Sequence, residues 1–137
     1  MKELMKDENF QSISVTDRKR ILDRILNEIK GRMMEEIVLQ ETKKASPDKD
    51  VFKLKFAIGE FDMVVYDPEN ITSEIYEIKH SIEAVPGQYR HLVDEKKCRE
   101  TEFQFGQIIR KCVIYRGENR REGEIEYLNV EEYLKGL

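Results

Sequence analysis

The apolar positions of this chain repeat first with the period of a helix and then with the period of a strand. Between residues 21 and 37 they recur every four residues, which is the spacing of one face of an α-helix. Thr16 and Asp17 can cap the start of this helix, and Gly31 is expected to divide it in two. The segment 45–48 contains Ser, Pro and Asp, so it should end the helix. Residues 1–15, polar with isolated apolar positions, are interpreted as a tail or a short docking segment.

Beyond residue 50 the apolar residues alternate with polar ones, which predicts β-strands. Three such segments follow one another at 51–56, 61–66 and 75–79, separated by Gly59 and by a turn at 67–70. Strands joined by such short turns favour an antiparallel meander.

The last third of the chain predicts one more helix and two more strands. A helix is expected at 88–103, with Tyr89, Leu92 and Val93 facing inward, and a strand at 108–115. A charged turn at 117–123, a short strand at 125–128 and a small helix at 130–134 complete the chain. The predicted order is αβββαβ with a βα appendix, which is an α/β fold.

Composition narrows the class of protein. With 137 residues the chain is expected to form one domain, and no apolar run approaches the roughly 18 residues that a membrane helix requires. No signal peptide is visible, so we expect a cytoplasmic protein with no membrane partner. Cys98 and Cys112 lack the spacing of a redox pair or zinc knuckle and are expected to be buried or inert.

The charge of the chain gives two opposing indications about whether it binds nucleic acid. The net charge is −4, from 24 basic and 28 acidic residues, and this should weakly repel a polyanion. Basic residues nevertheless gather late in the chain, where a local basic surface could contact phosphates: Lys96, Lys97, Arg99, Arg110, Lys111, Arg116, Arg120 and Arg121. Arg116, Arg120 and Arg121 are open to a second interpretation, in which they are the solvated residues of a charged turn.

The candidate chemistry lies in the triplet formed by Glu77, Ile78 and Lys79. On a strand, residues two apart point to the same face and lie roughly 6.6–7 Å apart, so Glu77 and Lys79 can flank one small volume. The Glu-x-Lys triplet occurs four times in the chain. The other three lie in predicted helices, where residues two apart diverge by about 200°. Only this copy brings its carboxylate and ammonium together.

Asp62, on the preceding predicted strand, can complete a metal site with Glu77. Carboxylates suit Mg²⁺ or Mn²⁺, and a divalent cation activates water for phosphodiester cleavage. Lys79 can orient the attacking water or stabilise the transition state. The alternative is that these residues form the solvated face of the sheet, opposite a core face of apolar residues: Phe61, Met63, Val65, Tyr76 and Ile78.

In these features the sequence resembles the PD-(D/E)XK nuclease superfamily, in which an Asp precedes a Glu-x-Lys strand. Asp62 resembles the motif aspartate, and Glu77 and Lys79 resemble the Glu-x-Lys pair. Residues 59–62 resemble the Gly-Glu-hydrophobic-Asp variant, with Phe61 where the name-giving proline would be. The resemblance implies a restriction-endonuclease-like αβββαβ core, with a mixed central sheet flanked by helices.

The resemblance also implies further site residues. Many members carry a metal-contacting Glu on the first core helix, for which Glu35 is the first choice and Glu36 stays open; alternatively both are surface charges. Gln88 and Tyr89 resemble a polar or aromatic position near the substrate, although helix capping and core packing would explain them equally. His80 is expected to point away from Glu77 and Lys79, and His91 is expected on the surface.

Residues 31–137 further resemble the nuclease-like domain at the C-terminus of certain archaeal and bacterial P-loop ATPases. Residues 1–30 are then a polar segment and docking helix. The chain has no Gly-x-x-x-x-Gly-Lys-Ser/Thr run, so it encodes no ATP site of its own. It is interpreted either as a domain of a longer ATPase or as a standalone relative, and oligomers are compatible with either.

The leading hypothesis is a Mg²⁺- or Mn²⁺-dependent nuclease that cleaves nucleic acid, with DNA as the favoured substrate. In it Glu35, Asp62 and Glu77 bind the metal, Asp62, Glu77 and Lys79 are catalytic, and Gln88, Tyr89, Arg99, Arg116, Arg120 and Arg121 contact nucleic acid. The alternative is a non-catalytic regulatory or interaction domain of a P-loop ATPase with the same fold.

Overall fold

Residues 15–137 are described by this computed structural model, so all of the predicted tail at 1–15 except its last residue lies outside the described residues. The described residues separate into two compact units, which divide between Met33 and Met34. Helix α1 covers Val15–Ala45 without interruption, so the prediction that Gly31 divides it was wrong. An interior glycine costs a helix only about 1 kcal/mol relative to alanine, which the rest of a long helix can tolerate. The helix ends where predicted, before Ser46 and Pro47.

A six-stranded mixed sheet forms the centre of the second unit. The strands lie in the order β1-β2-β3-β4-β6-β5, and the pairs β1–β2 and β2–β3 are antiparallel, which confirms the meander. The pairs β3–β4 and β4–β6 are parallel, and β5–β6 is antiparallel. The bounds are β1 Asp50–Lys55, β2 Glu60–Asp67, β3 Thr72–Ile78, β4 Gln107–Tyr115, β5 Arg120–Glu122 and β6 Ile125–Asn129.

Strand β5 was not predicted, because its three residues Arg-Arg-Glu have no apolar alternation and lie within the predicted charged turn. It forms by pairing with β6, a contact that its own sequence does not signal.

The helix predicted at 88–103 begins seven residues later than expected. Residues Pro86–Tyr89 form a short 3₁₀ turn, and helix α2 spans Glu95–Phe105. Asp94 caps α2, since its carboxylate accepts a hydrogen bond from the Lys97 N–H over 3.1 Å. The 90–94 segment is therefore outside the helix, and Val93, expected to face inward, is exposed.

Apolar side chains pack on both faces of the sheet. Val38 of α1 and Tyr133 and Leu134 of helix α3, Val130–Lys135, pack on the face that includes Met63 and Tyr76. Leu92 and Cys98 pack on the opposite face, which includes Phe61, Val64 and Ile75. The fold is α/β, with helices flanking a mixed sheet whose central strands are buried on both sides. Among the described residues, no helix is long and apolar enough to cross a bilayer.

Candidate active site

A β-bulge in β2 redirects Asp62. Phe52 pairs with Val64 and Leu54 pairs with Phe61, so that two residues, Asp62 and Met63, lie opposite the single residue Lys53. A bulge of this kind interrupts the alternation of side chains and re-aims one of them. In agreement, Phe61 and Val64 pack in the same core cluster although they are three residues apart.

Asp62 and Glu77 meet just beyond the paired part of β2 and β3. The backbone pairing of these strands runs from Asp67 and Thr72 to Met63 and Tyr76. Past this last pair, the Oδ2 atom of Asp62 accepts a hydrogen bond from the Ile78 N–H over 2.8 Å. The structure thus brings the two acidic residues together with Lys79 in one cleft of about 390 Å³, lined by Lys55, Phe56, Gly59, Glu60, Asp62, Glu77, Lys79 and His91.

Both acidic residues are buried and do not belong to a solvated sheet face. Asp62 is 5% exposed and Glu77 is 1% exposed. Burial and, after it, the neighbouring Asp62 carboxyl raise the pKa of Glu77 to about 9, while Lys79 opposes the shift. Without an added cation, Glu77 therefore holds a proton at neutral pH.

One oxygen of Glu77 lacks a partner. The Lys79 ammonium lies 3.5 Å from Oε2 of Glu77, whereas Oε1 is buried and accepts no hydrogen bond from any described residue. While Glu77 is protonated this oxygen needs no donor, but once Glu77 ionises, a buried carboxylate oxygen without a donor is costly unless a cation approaches it. Glu77 and Asp62 therefore suit a divalent cation that is bound through oxygen atoms.

A second group of carboxylates adjoins this pair. One oxygen from each of Glu35, Glu60 and Asp62 lies within 4.8 Å of the others. The Lys53 ammonium forms an ion pair with Glu35 and lies 3.7 Å from Oε1 of Glu60. The Glu35 carboxylate raises the pKa of Lys53 through this contact. We define the carboxylates of Glu35, Glu60 and Asp62 as the acidic triad; Asp62 belongs both to this triad and to the pair with Glu77.

Glu35 rather than Glu36 joins the triad. Glu36 is exposed, and its Oε1 accepts a hydrogen bond from Gln40 Nε2 over 2.9 Å on the helix surface. Sequence reasoning did not assign Glu60 or Lys53 to the site. Glu60 could have been found, because it belongs to the Gly-Glu-Phe-Asp run at 59–62. No sequence pattern points to Lys53, because its position opposite Asp62 depends on the bulge in the neighbouring strand.

His91 lines the cleft, although it was expected on the surface. Its Nδ1 lies 3.2 Å from Lys97 Nζ, and Lys97 in turn lies 3.3 Å from Oδ2 of Asp94. Desolvation and the Lys97 charge lower the pKa of His91. The part of the prediction that was wrong is the helix: residues 90–94 form a turn, which carries the partly exposed imidazole against Gly59. His80 does not line the cleft.

Gln88 and Tyr89 organise the loop that follows β3. The Gln88 amide donates to Ser81 Oγ over 2.6 Å and to the Glu83 carbonyl over 3.1 Å, and its oxygen accepts from the Val85 N–H. The Tyr89 ring packs edge-on against Tyr127, with centroids 6.3 Å apart. These contacts give both residues a structural role; neither lines the cleft.

The four candidate arginines lie on the surface outside the cleft. Arg99 is exposed on α2, and Arg116 is exposed at the end of β4. Arg120 pairs with Glu122 over 3.0 Å, and Arg121 pairs with Glu126 over 3.2 Å. The positive charge of these last two residues is thus partly neutralised within the protein.

No family model, curated protein sequence or solved structure gives a significant match to this chain. Its function is therefore inferred from the side chains of the cleft and their geometry.

Proposed function

We propose that the Met34–Leu137 unit is a metal-dependent nuclease domain of the PD-(D/E)XK type, which hydrolyses phosphodiester bonds of nucleic acid, with DNA as the first substrate to test. One observation carries the proposal: Asp62 of β2, Glu77 of β3 and Lys79, which follows β3, line a single cleft in which one buried Glu77 oxygen accepts no hydrogen bond from the described residues. The αβββαβ order and the mixed sheet support a restriction-endonuclease-like core.

Mg²⁺ or Mn²⁺ fits the donor set of Asp62 and Glu77. Mg²⁺ in phosphoryl-transfer sites is commonly held by one or two carboxylates plus water and substrate oxygens. A bound divalent cation supplies Lewis acidity and lowers the pKa of a coordinated water molecule. Its charge would also favour the ionised form of Glu77, whose pKa is raised by burial and by Asp62.

Lys79 is placed to act on the substrate. Its side chain is 39% exposed and lines the cleft, and its ammonium is anchored 3.5 Å from Glu77. From there it can orient a water molecule or offset the negative charge that develops on phosphate. The Ile78 N–H holds the Asp62 carboxylate beside this group.

Cleavage assays on several substrates test the proposal. The wild-type protein should cut single-stranded DNA, duplex DNA or RNA with Mn²⁺ or Mg²⁺, and the Asp62→Asn, Glu77→Gln and Lys79→Met variants should each lose at least about 10²-fold in rate. The Glu36→Gln variant is the matched control, since Glu36 is an exposed carboxylate bonded to Gln40 and should be dispensable. Wild-type protein that is inert on every substrate would overturn the catalytic proposal.

A specific observation favours a second candidate, a non-catalytic regulatory or interaction domain of a P-loop ATPase. Arg120 and Arg121 are engaged by Glu122 and Glu126, and the net charge is −4, so the binding of a polyanion has little electrostatic support. Isothermal titration with Mn²⁺ separates the two candidates. A nuclease binds the ion and loses that binding in Asp62→Asn, whereas absence of both binding and cleavage leaves the interaction domain.

A further inference from the structure

We propose that the ammonium group of Lys53 serves as a built-in cation of the acidic triad, so that the cleft binds one divalent ion, between Asp62 and Glu77, instead of two. This inference rests on the proposed function only for the ion at Asp62 and Glu77. Lys53 lies outside the Glu-x-Lys triplet, so this role is additional to those of Glu77 and Lys79.

The acidic triad has the spacing of a cation site. One oxygen from each of Glu35, Glu60 and Asp62 lies within 4.8 Å of the others, a distance at which three ionised carboxylates repel one another. Asp62 is buried, so water screens this repulsion only in part. A positive charge is therefore needed at the triad.

Lys53 supplies that charge from within the chain. Its ammonium forms an ion pair with Glu35 and lies 3.7 Å from Oε1 of Glu60, and its charge also acts on Asp62. The side chain of Glu35 is 22% exposed and that of Lys53 is 34% exposed, so this contact is partly shielded from solvent. An ammonium at this position opposes the binding of a divalent cation to the same oxygens, because like charges repel.

The backbone holds Lys53 in register. The pairs formed by Phe52 with Val64 and by Leu54 with Phe61 lie on either side of it, and the two-residue bulge at Asp62 lies directly opposite. The same bulge that redirects Asp62 therefore sets the position of the lysine that neutralises the triad.

The Glu77 side of the cleft differs from the triad. There the Lys79 ammonium is 3.5 Å from Oε2 of Glu77, and Oε1 accepts no hydrogen bond from any residue in the described range. Oε1 of Glu35 likewise accepts no hydrogen bond, but it is the oxygen that the Lys53 ammonium pairs with. The buried carboxylate oxygen without a cation beside it is therefore Oε1 of Glu77, and this is where the divalent ion should bind.

Counting bound Mn²⁺ tests the inference without an activity readout. We expect isothermal titration and electron paramagnetic resonance to count one ion in the wild-type protein and two in Lys53→Met, which keeps a long apolar side chain but removes the charge. Adding Glu35→Gln to Lys53→Met should return the count to one, because the second ion would lose a ligand.

Lys55→Met is the matched control. Lys55 lies two residues further along β1, lines the same cleft and forms no ion pair within the described part of the chain. Its loss changes the net charge by the same amount as the loss of Lys53, so the count should stay at one. Lys53→Arg, which keeps the positive charge, should also bind one ion, and it provides a second measurement if Lys53→Met unfolds.

The outcomes separate this inference from the proposed function. Two ions in the wild-type protein, or one ion in both the wild-type protein and folded Lys53→Met, would overturn the role of Lys53 and leave the nuclease proposal standing. If the wild-type protein binds none and Lys53→Met binds one, Lys53 does exclude a cation from the triad, but the ion proposed at Asp62 and Glu77 is refuted. No binding to any variant overturns both.

Discussion

The carboxylate of Asp62 on β2 accepts a hydrogen bond from the backbone N–H of Ile78 on β3, over 2.8 Å. Ile78, the last residue of β3, lies between Glu77 and Lys79 in the chain, so this one bond fixes the β2 carboxylate beside both of these functional residues. The bond forms just past the last backbone pair of the two strands, Met63 with Tyr76. A side chain thus replaces the backbone as the connection between the strands at the cleft.

We expect Asp62→Asn to fold with nearly wild-type stability and to lose metal binding, because the amide oxygen can still accept the Ile78 hydrogen bond. Asp62→Ala should be less stable by about 1–3 kcal/mol, since it leaves a buried N–H without a partner. Urea unfolding followed by circular dichroism measures the difference. Equal stability of the two variants would indicate that the bond has no structural role.

The stability of the metal-free protein should fall as the pH rises from about 4.5 to about 9. Burial raises the pKa of Glu77 from 4.5 to about 9, so in this range the folded protein holds a proton that the unfolded chain releases. Glu77→Gln cannot ionise, so it should lose this contribution to the pH dependence and be more stable than the wild type at pH 8. Thermal unfolding in a chelator, measured from pH 5 to 9, checks this; parallel curves for the two proteins would contradict it.

Mn²⁺ should reverse that order at pH 8. A ligand that binds only the folded state stabilises it, so the wild-type protein should melt at a higher temperature with added Mn²⁺, whereas Glu77→Gln should shift little. Thermal unfolding of the wild-type and Glu77→Gln proteins at pH 8, with and without Mn²⁺, measures these shifts. An equal shift in both proteins would place the ion away from Glu77.

Gly59→Ala should destabilise the protein by about 1 kcal/mol or more and displace the His91 ring. Gly59 has a φ of +82°, and an added Cβ would lie 2.5 Å from Cε1 of His91. Two other glycines separate these effects. Gly123 has a φ of +57° and no atom within 4 Å of its Cβ position, so Gly123→Ala measures the cost of backbone strain alone. Gly87 has neither a positive φ nor a close neighbour, so Gly87→Ala should show neither effect.

The expected order of destabilisation is therefore Gly59→Ala, then Gly123→Ala, then Gly87→Ala. The chain contains two histidines, so imidazole NMR signals can be assigned with a His80→Gln variant. Only the His91 signals should move in Gly59→Ala. Unchanged His91 signals would show that the ring does not pack on Gly59.

The two cysteines should differ in reactivity while the protein is folded. Cys112 is fully buried and Cys98 is half-buried, and burial raises the pKa of both thiols. Iodoacetamide followed by mass spectrometry should modify Cys98 slowly and Cys112 hardly at all, and urea should expose both. Rapid labelling of Cys112 in the folded protein would contradict its burial.

The antiparallel meander and all strands except β5 were predictable because alternation is a local property of the chain. Lys79 and Glu77 could be paired from their spacing alone, since residues two apart on a strand share a face. Helix α2 was predicted too long, because the turn at 90–94 is set by the Asp94 cap and by packing of Leu92. The placement of His91 on a helix followed from that error.

Local spacing thus sufficed to identify the Glu-x-Lys pair and every described element longer than four residues, although not the start of α2, because each depends on residues close together in the chain. Folding alone brought Glu35, Lys53 and Glu60 together beside Asp62 and selected Glu35 over Glu36. Those positions depend on strand register and on the bulge at Asp62, where one strand carries an extra residue relative to its partner. Register is a relation between distant segments, and no pattern within either segment encodes it.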